Sequence, residues 1–140
     1  MQYNRSGNDI VLRLDPGEEI TVCVLDLAKK ENITCAEVSA IGATDDFTVG
    51  VFDLTKKSYD LFRHHDGNYE IASLTGSLSM LNGEPYQHLH MVCAGGDGTV
   101  AAGHLISAVI SLTAEIMIRV IDMKAERVKN PEIGINQLIV

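Results

Sequence analysis

Three of the five histidines in this 140-residue chain lie close together in the segment 83–105. His88 and His90 are separated by one residue, and His104 follows after the glycine-rich break at 94–98. Imidazole nitrogens are common protein ligands of zinc and other transition metals. The spacing therefore raises the question of whether a hairpin brings three imidazoles to one ion.

The segments 86–93 and 99–105 are predicted to form a β-hairpin, because the glycines between them permit the positive φ angles of tight turns. Side chains alternate along a strand, so His88 and His90 share a face. With the turn centred in the middle of the loop, His104 faces one of them and lies diagonal to the other. Opposed Cβ atoms are about 4.5–5.5 Å apart and diagonal ones about 7–8 Å. At these separations three imidazoles can converge on one ion, whereas a register shifted by one residue would turn His104 to the opposite face.

Three neutral nitrogen ligands would leave a tetrahedral zinc ion with an open fourth position, where a small molecule can bind. A carboxylate such as Asp97 in place of one histidine would indicate iron instead. Asp97 lies between glycines, however, which is typical of a turn residue. The alternative to a metal site is three solvated or hydrogen-bonded histidines. His64 and His65 are adjacent, so on a strand they point to opposite faces and cannot chelate one ion together.

The composition limits the classes of function. Eleven basic and nineteen acidic residues give a formal charge of −8, which repels phosphate and disfavours direct nucleic-acid binding. Cys23, Cys35 and Cys93 form no CxxC pair and are predicted to be free thiols of a reduced interior. No apolar run approaches the roughly 20 residues that span a bilayer, and residues 1–6 lack the features of a signal peptide. We therefore expect a cytoplasmic protein without a membrane partner.

The elements that must position the histidines are mainly strands. The segment 9–14 is predicted to be a strand, and Asp15-Pro16 to begin a helix that runs to about Glu31, with Ile20, Val24 and Leu27 on its apolar face. Short β-rich segments follow, several of them separated by Gly, Asn or Asp. They are 34–42, 46–53, 58–64, 69–81, 86–93, 99–105 and 109–122. This order indicates an α+β fold in one domain, residues 1–140, with a mainly antiparallel sheet and one principal N-terminal helix packed on it.

Several short motifs carry a resemblance to a known family. They are "LRLDPGEEI" at 12–20, "SAIGA" at 39–43, "EIASLTGSLS" at 70–79, "PYQHLH" at 85–90, "DGTVAAGHL" at 97–105 and "TAEIMI" at 113–118. In order and spacing the chain resembles the plant and prokaryote conserved (PPC) domain, in the small stand-alone form of bacteria and archaea. The same domain follows the AT-hooks of plant nuclear proteins. The resemblance implies a central antiparallel sheet, a homotrimer, and a metal ion, most often zinc, on His88, His90 and His104.

Three functions follow from this resemblance. The first is a trimeric metal-binding protein with a regulatory or partner-binding role and no assigned catalytic residue. The second is a zinc-dependent lyase or decarboxylase acting on a small oxygenated metabolite, because the architecture distantly resembles acetolactate decarboxylase. Arg13 or Glu115 could then be the group near the metal, but structural pairing also accounts for Glu115, and neither is assigned a catalytic role. The third is DNA binding, as the family label suggests, although this chain has no AT-hook.

Overall fold

The computed structural model describes residues 1–139 and contains, within them, nine strands in one sheet and one short helix. In chain order these elements are β1 (Gln2–Ser6), β2 (Asp9–Leu14), α1 (Ile20–Lys30), β3 (Ala36–Asp53), β4 (Ser58–His64), β5 (Tyr69–Leu81), β6 (Glu84–Gly95), β7 (Val100–Val120), β8 (Glu126–Lys129) and β9 (Asn136–Ile139). The described pairs are antiparallel except for β5 with β8, which confirms the predicted fold class. No helix within residues 1–139 has the length and apolar character that a membrane crossing needs.

Four strands form a closed cycle of antiparallel pairs. β3 pairs with β5, β5 with β6, β6 with β7, and β7 again with β3. The cycle closes because β3 and β7 are long and pair with each other over most of their length, from Ala36 opposite Val120 to Gly50 opposite His104. β2 extends the sheet from the C-terminal half of β7, and the hairpin of β8 and β9 adds to β5.

The core lies on the inner face of this bent sheet. Along β6 the side chains alternate, so that Leu89, Met91 and Cys93 are buried while His88 and His90 lie on the outer face. The apolar side of α1 packs over β6 and β7 and is buried at Ile20, Val24, Leu27 and Ala28. The histidines therefore stand on a strand that is fixed by core packing on its other side.

The sequence prediction was wrong about two strand breaks. The predicted segments 34–42 and 46–53 merge into the single strand β3, Ala36–Asp53, and the segments 99–105 and 109–122 merge into β7, Val100–Val120. The pairing register of β3 with β7 shifts at Gly42–Thr44, Thr44–Asp46 and Thr48–Val49. Unpaired residues at these bulges let both strands bend and continue. β1, β8 and β9 were not predicted, because their short, mostly polar sequences lack an apolar alternation.

The helix begins later than predicted. Asp15 and Pro16 form a turn in which Gly17 has a φ of 86° and the Glu18 N–H donates to the Asp15 carbonyl at 3.2 Å. The N-cap is Glu19, whose carboxylate accepts from the backbone N–H groups of Thr21 and Val22. The turn is held to β7 through Gly17 N–H to the Ile110 carbonyl, 2.8 Å, which prevents the helix from starting earlier.

We expect Glu19→Ala to lower the free energy of unfolding by about 1–2 kcal/mol, the usual effect of removing an N-cap acceptor. The carboxylate also accepts from the backbone N–H of Ala108 at 2.9 Å, so the substitution disconnects the helix from β7 as well. Urea unfolding at neutral pH measures the change. Glu132→Ala, at an exposed position, is the control, and equal stabilities of the two variants would contradict the assigned cap.

Candidate metal centre

The register of the hairpin decides whether the three histidines meet. His90 is the direct cross-strand partner of His104, and Cys93 is the partner of Ala101. The sequence predicted that His104 faces one of the two histidines on the first strand, and in the structure this is His90. His88 lies two residues before His90 on the same face of β6, next to this pair. The structure thus brings His88, His90 and His104 together.

The distances within this group suit a bound metal ion. When one ring nitrogen is taken from each histidine, the three nitrogens all lie within 4.8 Å of one another. The Nε2 atoms of His88 and His90 are 3.3 Å apart. Two nitrogens that are each about 2.1 Å from a tetrahedral ion are separated by about 3.4 Å. The pair on β6 therefore already has the spacing of two ligands, and the third imidazole faces it across the hairpin.

Burial favours the neutral form of two of the imidazoles, those of His88 and His104. It is the main cause that lowers the pKa of His104 to about 4, and the neighbouring His88 is the next cause. The pKa of His88 is also lowered, first by burial and then by the charge of Arg127. Neutral imidazole is the protonation state that binds metals. Within residues 1–139, the buried Nδ1 of His104 has no hydrogen-bond partner. These properties fit a metal ion held by three nitrogen donors.

An aromatic contact positions His104. Tyr59 of β4 stacks on its ring with a centroid distance of 4.8 Å and an interplanar angle of 20°. Gly50 of β3 makes room for this contact, because a Cβ atom there would lie 2.9 Å from Cδ1 of Tyr59. Gly50 is also the cross-strand partner of His104. Sequence reasoning missed Tyr59, since no spacing rule relates β4 to the hairpin.

The charged residue next to the histidines is Arg127, not one of the two that the sequence suggested. Arg13 and Glu115 are cross-strand partners on β2 and β7, and the Arg13 guanidinium binds Asp15 at 3.0 Å. Neither belongs to the three-histidine group. The charge of Arg127 on β8 acts on both His88 and His104. Its sequence neighbourhood carries no motif that could have revealed this.

The remaining candidates have structural roles. Asp97 is a turn residue, as predicted: its Oδ1 accepts from the backbone N–H of Thr99 at 2.9 Å and from its hydroxyl at 2.7 Å. β4 ends at His64, which stacks on Phe47 with a centroid distance of 4.8 Å.

The cysteines are also structural. All three are free, as predicted, at positions 23, 35 and 93. Burial raises the pKa of Cys93 to about 12, so its thiol is unreactive at neutral pH.

The family of the chain follows from a match over most of its length. The family model of the Plants and Prokaryotes Conserved (PCC) domain matches residues 1–122. The chain belongs to this family, which is the one that the sequence motifs resemble. No curated protein matches the chain in sequence.

Solved structures with the same fold include three similar proteins. A PPC protein from Pyrococcus horikoshii is 31% identical, with a TM-score of 0.84 over 96% of this chain and 91% of that one. A protein from Bacteroides thetaiotaomicron, described as a candidate DNA-binding protein, is 28% identical, with a TM-score of 0.94 over 99% and 96%. A protein from Archaeoglobus fulgidus, described as metal-containing, is 28% identical, with a TM-score of 0.86 over 100% and 99%.

A more distant likeness concerns the fold alone. Acetolactate decarboxylase from Bacillus subtilis has a TM-score of 0.54 and 14% identity over 84% of this chain and 54% of that one. The architecture is therefore shared with an enzyme, but at this identity the likeness carries no activity to the present chain.

Proposed function

We propose that this protein binds one zinc ion per chain through His88, His90 and His104, and acts as a metal-dependent regulatory or partner-binding module. The observation that carries the proposal is the convergence of three imidazoles from two adjacent strands. When bound, a zinc ion on three histidines supplies a Lewis acid with an open coordination position. His90 is exposed on the outer face of the sheet, which supports contact with a partner or ligand from solution.

The metal content of the purified protein tests this proposal. We expect about one equivalent of zinc per chain by elemental analysis, loss of the metal on treatment with a chelator, and recovery after dialysis against zinc. Three nitrogen ligands without a competing carboxylate favour zinc over calcium or magnesium. Protein that contains no metal after incubation with zinc would overturn the proposal.

We also propose that the functional oligomeric state of the protein is a homotrimer. The outer face of β2, β3 and β7 exposes large apolar side chains, which supports an interaction surface there. They are Val11, Ile41, Leu112 and Met117. Sedimentation equilibrium should give a mass of three times 15.2 kDa. A monomer at micromolar concentration would contradict the trimer.

One observation favours a second function, a zinc-dependent lyase or decarboxylase acting on a small oxygenated metabolite. Arg127, a buried cation beside the histidines, is a group that could stabilise developing negative charge. Release of carbon dioxide from a small hydroxy-keto acid, abolished by a chelator, would favour the enzyme over the module.

DNA binding is the least supported function. The charge is −8 for each chain, and three chains would carry about −24. This field repels phosphate. A salt-dependent DNA mobility shift at physiological ionic strength would be needed to support it.

The contact between Tyr59 and His104 gives a graded test of the site. We expect Tyr59→Leu to weaken zinc binding roughly tenfold, because groups that orient a metal ligand contribute on this scale. Tyr59→Phe keeps the stacked ring and should bind zinc as the native protein does. Competition with a chromophoric chelator measures both affinities. Equal weakening in the two variants would show that the ring is not what orients His104.

A further inference from the structure

Arg127 differs from every other arginine in the chain. Arg5, Arg13, Arg63 and Arg119 each form an ion pair with a carboxylate. Arg127 is only 8% exposed, yet within residues 1–139 its donors reach only neutral oxygens. These acceptors are the hydroxyl of Ser79 at 2.9 Å, the carbonyl of Asn136 at 2.9 Å and the hydroxyl of Ser77 at 3.4 Å. A buried guanidinium is normally paired with an anion, and residues 1–139 supply none here.

The guanidinium lies on the same face of the sheet as the histidines. Ser77 is the cross-strand partner of His88, and Ser79 is the partner of Tyr86. Arg127 binds both serines and lies over the ring of Tyr86, 5.3 Å from its centroid. Ser77 and Ser79 are two residues apart on β5, which corresponds to roughly 7 Å along the strand, and the guanidinium contacts both of them. The cation is therefore a near neighbour of His88, in accord with its effect on the pKa of both His88 and His104.

The charges of this site do not balance. An imidazole that binds a metal ion is a neutral ligand, and within residues 1–139 the metal-ligating group contains no carboxylate. A divalent ion together with Arg127 would give the site a charge of about +3, and residues 1–139 place no carboxylate in the metal-ligating group or on the guanidinium to oppose it. An arginine has five N–H donors, of which three are engaged by partners among residues 1–139, so that two are left for a ligand in this part of the chain.

We propose that the site binds a small carboxylate, shared between the open position of the metal ion and the unused N–H donors of Arg127. The planar guanidinium matches the geometry of a carboxylate. The net charge of −8 disfavours phosphate and nucleic acid, which carry more negative charge. This inference rests on the proposed metal binding, and it adds the chemical class of the ligand.

The experiment uses the full chain loaded with cobalt(II), whose visible absorption reports changes in coordination. Titration with acetate should shift the spectrum to saturation, whereas acetamide, which is neutral, should not shift it. Arg127→Gln should weaken acetate binding about tenfold to a hundredfold, because a charge-assisted hydrogen bond is lost, and should not lower the cobalt affinity, because it removes a positive charge near the ion. Arg119→Gln removes an exposed arginine and should have no effect on either quantity.

The experiment distinguishes failure of the proposed metal binding from failure of the proposed carboxylate binding. Native protein that takes up no cobalt or zinc contradicts the metal proposal itself. Cobalt uptake with equal acetate affinity in the native protein and Arg127→Gln overturns the role of Arg127. Tighter binding of inorganic phosphate than of acetate overturns the carboxylate assignment. If thermal melting shows that Arg127→Gln is unfolded, Arg127→Lys replaces it. This variant keeps the charge and loses the planar fork, so an acetate affinity as high as that of Arg119→Lys would overturn the proposal.

Discussion

We expect His104→Ala to remain folded and to contain less than about a tenth of an equivalent of zinc. The substitution leaves two imidazoles on β6, and two nitrogen ligands do not form a stable zinc site in water. His104 is the only member of the group on β7, so its loss also opens the site on that side. Within residues 1–139 its buried Nδ1 makes no hydrogen bond, and truncation therefore breaks none at that atom.

A matched control is available in the same chain. His65 is half-exposed and lies 2.7 Å from Asp66, outside the metal-ligating group. His65→Ala should retain the full equivalent of zinc under the same purification. Elemental analysis of the two variants, with circular dichroism to establish folding, makes the comparison. A full equivalent of zinc in folded His104→Ala would contradict the assigned ligand set.

The second large effect is expected at Gly76 of β5. A Cβ atom at this position would lie 2.0 Å from the carbonyl oxygen of His88 and 2.8 Å from Cα of Leu89. Real atoms cannot approach so closely, so Gly76→Ala must push β6 away from β5. We expect a loss of about 1–3 kcal/mol of unfolding free energy, as for overpacking elsewhere. Because the displaced strand carries His88, zinc affinity should fall as well.

Gly96→Ala is the control for this prediction. Gly96 lies in the loop between β6 and β7, and a Cβ atom there would meet nothing within 4 Å. The control should match the native protein in melting temperature and zinc affinity. If Gly76→Ala melts at the same temperature as Gly96→Ala, the close approach of β5 and β6 does not constrain the site.

Local sequence signals were sufficient for part of the fold. The strands at 9–14, 58–64 and 69–81 have the predicted bounds, since polar or glycine-containing turns mark their ends. The long strands β3 and β7 could not be predicted. Their irregular residues look like breaks in the sequence, and only pairing with neighbouring strands shows that the chain continues through them.

In the site, too, the residues that are close in sequence could be predicted, and those that come from distant strands could not. The alternation of residues along β6 and a turn centred in the short loop were enough to predict that the histidines share one face. Tyr59 and Arg127 come from strands on either side of the hairpin in the chain, β4 and β8. Neither has a fixed spacing from the histidines, so their contacts depend on tertiary structure alone.

The closed cycle of β3, β5, β6 and β7 has a consequence for the order of events during folding. The hairpin that carries His90 and His104 is local, but its partner strands include residues as distant as Asp9, which pairs with Arg119. Sheets dominated by such non-local pairs fold slowly, on a scale of milliseconds to seconds. Zinc added to the unfolded chain can meet the hairpin early. Tyr59 and Arg127 lie on β4 and β8, which pair with β3 and β5, so they reach the hairpin only through these two strands of the cycle. A tight, fully formed site would therefore be among the last features of the molecule to mature.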